Sequence, residues 1–68
     1  MTVRIEFMSL NNQGSVIQNW TTVSGSVQND PQIYVPRAYE VKRNMSINYT
    51  ARVRVVDEQT NRIVDMIP

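Results

Sequence analysis

Sixty-eight residues with seven basic and six acidic side chains, and neither cysteine nor histidine, allow one small domain and exclude most site chemistry. There is no disulfide framework, no thiolate nucleophile, no Cys/His zinc site and no side chain that ordinarily titrates near neutrality. A net charge of +1 is too small to argue for a nucleic-acid partner by itself.

A chain this short buries only about 60% of its unfolded surface, so its core is marginal. Mini-domains of this size usually add a disulfide, a metal or a partner subunit. With the first two removed by composition, a homo-oligomer, in the first place a dimer, is the expectation.

The first predicted element is the run "TVRIEFMS". Val3, Ile5 and Phe7 share one face and Arg4, Glu6 and Met8 the other, the pattern of a half-buried strand. Its charges at Arg4 and Glu6 make it neither a signal peptide nor a membrane span. "LNNQGS" is a turn that places Gly14 where positive φ costs little. "SVIQNWTTV" is rich in β-branched residues and reads as a second strand, with no clean choice of buried face.

After "SGSVQND", the residues Tyr34, Ala38, Val41 and Met45 fall on one helical stripe. Asp30 and Pro31 have the character of an N-cap and a first helical residue. Pro36 conflicts with that start, because an interior proline costs about 3 kcal/mol. The spacing therefore predicts a helix over roughly 36–45, and an all-β arrangement with "QIYV" as a strand is the alternative. "SINYTARVRVVD" alternates cleanly, Ile47, Tyr49, Ala51, Val53 and Val55 against Asn48, Thr50, Arg52 and Arg54. "DEQTN" turns the chain and "RIVDMI" returns. The predicted fold is a single α+β domain over residues 1–68, an antiparallel sheet of about four strands with one helix on one face, in the order β-β-α-β-β.

No catalytic or metal-binding constellation is expected, nor any cofactor. Asp57, Glu58 and Asp65 are the only acidic cluster. They lie at a turn, where Asp57 ordinarily accepts backbone hydrogen bonds. The two glycines fit no phosphate-cradling loop. Three Asn-x-Ser/Thr triplets, at Asn19, Asn44 and Asn48, are read as coincidences of composition.

Charge is nonetheless polarised. Residues 37–54 carry Arg37, Lys42, Arg43, Arg52 and Arg54 against Glu40, a balance of +4, while the rest of the chain balances at −3. Arg52 and Arg54 project to one face of a strand about 6.8 Å apart, a spacing that suits successive phosphates. With Arg37, Lys42 and Arg43 they form the candidate nucleic-acid site, and Trp20, Tyr39 and Tyr49 could offer stacking planes. The plainer reading is an outer sheet face whose arginines pair with Glu6 and Asp65 on neighbouring strands. Trp20 ordinarily belongs to the core of a small sheet. Facing outward beside Met8, it would instead anchor a protein interface, with Met66 as a further candidate.

The stretch "ARVRVVDEQTNRIVDMIP" is similar to the C-terminal hairpin of small proteins encoded by bacteriophages and prophages, which end in R-V-R-[AV]-[VL]-D, a turn, and R-[LIV]-[LIV]-D-[MIL]. The matching positions are Arg52 to Asp57 and Arg62 to Met66. A second similarity, at Asp57, Thr60, Ile67 and Pro68, is to the C-terminus of FlaG-family flagellar proteins, but Asn61 replaces the usual Gly and Asp65-Met66 the usual Arg-Gln. The phage resemblance implies a small non-enzymatic accessory protein in the bacterial cytoplasm, acting by protein contact or self-association, with nucleic-acid binding as the alternative and no membrane partner.

Overall fold

A computed structural model of the chain describes residues 1–46 and 50–67. The described residues form strands β1 (Thr2–Leu10) and β2 (Val16–Gln28), helix α1 (Pro31–Met45), and strands β3 (Thr50–Asp57) and β4 (Ile63–Ile67). The strands make one antiparallel sheet in the order β2-β1-β3-β4, with the helix on one face. This is the predicted α+β arrangement, and the all-β alternative is set aside. The expectations placed on Ile47, Asn48, Tyr49 and Pro68 lie outside the described residues.

Alternation builds the core. Val3, Ile5 and Phe7 of β1 and Val53 and Val55 of β3 turn toward the helix, where Val27, Ile67, Tyr34 and Ala38 complete the buried cluster. Ala38 is fully buried, so the helix approaches the sheet through the smallest residue of its stripe. Val41 and Met45 continue that stripe at the edge of the core, together with Ile33 and Val35. Burying each large apolar side chain contributes about 1.5–3 kcal/mol.

The helix begins at Pro31 rather than near Pro36, which corrects the predicted start. Asp30 is the N-cap, in extended conformation, and its carboxylate accepts the Gln32 N–H at 3.0 Å. Pro31 follows in the first turn, where no N–H is required. The proline at 36 removes the bond to the Gln32 carbonyl, at a place where Gln32 and Pro36 are both exposed, so solvent can reach the helix there. Docking Ile33, Tyr34 and Val35 on the core outweighs the remaining cost, because extended 32–35 would leave the first stripe residue undocked. Lys42 and Arg43 in the last turn suit the negative end of the helix dipole.

Both turns follow their side chains. Asn11 Oδ1 accepts the N–H groups of Gln13 and Ser15, and Gly14 takes a φ of 81°. Asp57 Oδ1 accepts from Gln59 and Thr60, and Asn61 adopts a φ of 60°. Strand β2 is less regular, with four register shifts against β1. This explains why neither of its faces reads as apolar: only Val27 is buried. Within one bulge Ser26 is held at a φ of 53°, and its N–H donates to Glu58 Oε1 at 3.0 Å.

Candidate functional site

The face of the sheet away from the helix is built by the other half of the same alternation. Pairing of Glu6 with Arg54 and of Met8 with Arg52 sets these four side chains on that face, with Met66 opposite Arg54 on the far side. Glu6 is the centre of the arrangement. Its Oε2 accepts Arg4 Nε at 2.8 Å and its Oε1 accepts Arg54 Nε at 2.7 Å. Arg4 also donates through Nη1 to Asn61 Oδ1 at 3.0 Å, tying the group to the β3–β4 turn. The Arg54 guanidinium lies 4.0 Å from the centroid of the Trp20 ring. Such a cation–π contact contributes about 0.5–1 kcal/mol when exposed and more when desolvated.

Glu6 is buried although no helix covers this face. Burial alone would raise its pKa, but the hydrogen bonds and charges of Arg4 and Arg54 prevail and hold the carboxyl below its ordinary value. The glutamate is therefore anionic at neutral pH and fixes both guanidiniums in place. Among the described residues the only hydrogen bond of Arg54 is through Nε, and its side chain keeps 23% of its surface exposed. Arg52 is exposed and forms no ion pair among the described residues.

The structure divides the five cations of the candidate nucleic-acid site. Arg52 and Arg54 stand on the uncovered sheet face, while Arg37, Lys42 and Arg43 belong to the helix on the other side. The sheet itself separates them, so they form no continuous basic surface. Arg37 lines an open groove of ≈ 340 Å³ between α1 and β2, with Val23, Ser24, Glu40, Val41 and Asn44. Tyr39, Lys42 and Arg43 lie together farther along the helix.

Asp65, the second carboxylate expected near the arginines, stands opposite Val55 on the helix side of the sheet. Its Oδ1 accepts the Met66 N–H at 2.9 Å. Its charge, with that of Asp30, adds to the effect of burial in raising the pKa of the Tyr34 phenol. Trp20 is half-buried on the uncovered face, not in the core, and Met8 is half-buried beside Arg52. Met66 is exposed at the edge.

Arg4 and Asn61 are members of the cluster that sequence reasoning passed over. Arg4 had a signal, since it is two residues from Glu6 on an alternating strand. Asn61 had none, because only the fold brings the turn after β3 back beside β1.

Among the described residues, no group of three or more His, Cys, Asp or Glu side chains could hold a metal ion. No helix among them is long and apolar enough to cross a membrane. No family model, curated protein or solved structure matches the chain.

Proposed function

We propose that this is a small non-enzymatic accessory domain that works by protein–protein contact, in the first place by self-association into a dimer through β4. One observation carries the reading: apart from Met1 and Tyr39, the exposed large apolar side chains among the described residues collect on the two edge strands. Val16, Ile17 and Val23 of β2 and Ile63, Val64 and Met66 of β4 are each 40–55% exposed, because α1 lies chiefly over β1 and β3. The two edges differ. Register shifts break β2 along its length, which blunts an edge, whereas β4 is regular from Asp65 to Ile67.

Charge selects the orientation of the second copy. Arg62 precedes β4 and Asp65 lies within it. An antiparallel copy brings Arg62 of one chain toward Asp65 of the other, while a parallel copy sets like charges side by side. Because Asp65 already accepts the Met66 N–H, the contact is made by Ile63 and Val64 side chains more than by a continued backbone ladder. The likeness of the closing hairpin to those of phage-encoded proteins agrees with an accessory role in a bacterial cytoplasm.

Solution mass measured by sedimentation across a dilution series tests this reading. The native chain should pass from dimer to monomer on dilution. The double variant Ile63→Lys/Val64→Lys should be monomeric throughout with an unchanged circular dichroism spectrum. A native chain that is monomeric at every concentration overturns the proposal.

A further inference from the structure

We infer that the uncovered face of the sheet is a docking surface for an acidic, extended segment of a partner protein, held by Arg52 and Arg54 beside Trp20. This surface lies on the face of the sheet and the β4 contact at its edge, with Met66 where they adjoin, and the two are tested by separate variants, so either can fail without the other.

The first argument is preorganisation. Arg54 is fixed by Glu6 through Nε at 2.7 Å and by the Trp20 ring at 4.0 Å, and its Nη groups, in a defined position, make no hydrogen bond among the described residues. A carboxylate arriving there meets a guanidinium that has already lost its freedom, so little ordering cost remains. Arg52 stands two residues along the same strand face, exposed, at a spacing of about 6.8 Å. Alternate acidic side chains of an extended peptide repeat at nearly the same interval, so two successive carboxylates match the two arginines.

The second argument is the apolar frame. Trp20, Met8 and Leu10 are half-buried on the same face and Met66 borders it. Tryptophan and arginine together in a partly desolvated setting are the side chains that dominate protein interfaces. A polyanionic strand would require a longer run of cations. Here the helix cations are on the other side of the sheet, and Glu6 lies in the middle of the arginines. A second copy of this chain does not fit the face either, because Arg4, Arg52 and Arg54 outnumber Glu6 and two such faces repel.

Trp20 is the one tryptophan of the chain, so its fluorescence reports on this face directly. The native protein is titrated with a short synthetic peptide alternating glutamate and valine, with the same peptide carrying lysine for glutamate, and with an oligothymidylate strand. The glutamate peptide should change the emission saturably, with an affinity that falls as salt rises. Arg52→Ala should weaken that affinity about tenfold, the loss of one charge-assisted contact. Arg54→Lys, which keeps the charge but loses the planar fork, should also weaken it, and thermal melts confirm that both variants remain folded. The inference is overturned if the glutamate peptide gives no saturable change, if the lysine peptide binds equally well, if the oligonucleotide binds more tightly, or if folded Arg52→Ala binds like the native chain.

Discussion

Arg54 donates to Glu6 across the β1–β3 pair at 2.7 Å, and the same guanidinium packs against Trp20 from β2. Two residues 48 positions apart in the chain thus join three strands on a face that the helix leaves bare. The pair is formed where Glu6 and Arg54 stand directly opposite in the ladder.

This pair makes stability depend on acid. The folded-state pKa of Glu6 lies below its ordinary value of 4.5. Its contribution is therefore fully present above the unfolded value and is lost as pH falls through the folded one. Glu6→Gln should cost about 1–2 kcal/mol at neutral pH and should lessen the acid dependence. Urea midpoints at neutral pH and below pH 4 measure both effects; an unchanged acid slope would remove Glu6 from this role.

The left-handed residues offer a contrast. Ser26 holds a φ of 53°, and its hydrogen bond to Glu58 is made by the backbone N–H, which a glycine would keep. Ser26→Gly should relieve about 1 kcal/mol of strain, partly offset by unfolded-state entropy, and raise the melting temperature slightly. Asn61→Gly should give no such gain, because Asn61 Oδ1 also accepts from Arg4. Thermal melts of the two variants side by side decide the matter.

Pro36 lies inside helix α1 and removes the bond to the Gln32 carbonyl, at a place where both residues are exposed. Pro36→Ala should restore that bond and stabilise the protein by about 1 kcal/mol or more, after allowance for a more flexible unfolded chain. Asp30→Ala should act in the opposite sense, by about 1 kcal/mol, through loss of the cap to the Gln32 N–H. Denaturant titration monitored at a helical wavelength reads both.

The close approach of α1 to the sheet depends on Ala38, which has no exposed surface. Ala38→Leu should destabilise by about 1–3 kcal/mol through overpacking. Ile5→Ala, at the same contact, should cost about 2–5 kcal/mol through an unfilled cavity. Urea unfolding of the two variants would show whether the contact is as tight from both sides.

How far each feature was legible depends on whether its cause is local. The alternation of Val3, Ile5 and Phe7, the Tyr34–Ala38–Val41–Met45 stripe and the Asp57 turn were all readable, because each rests on chain geometry within a few residues. The start of α1 was not, since Pro36 is unfavourable by propensity and only docking of Ile33, Tyr34 and Val35 reverses the balance. The face of Trp20 was hidden as well: the register shifts of β2 change its alternation, and bulges leave little trace in the sequence.

The sequence by itself determined the element order, the core faces of β1 and β3 and the absence of cysteine and histidine chemistry, all properties of composition and short-range periodicity; the face of β4 that carries Asp65 was decided by its pairing with Val55. Only the tertiary structure decided which charges meet. Packing the helix on one face put Arg37, Lys42 and Arg43 on the opposite side from Arg52 and Arg54, and the β1–β3 register placed Glu6 against Arg54. Layering and register are set by burial of the whole core, and no local stretch of sequence contains them.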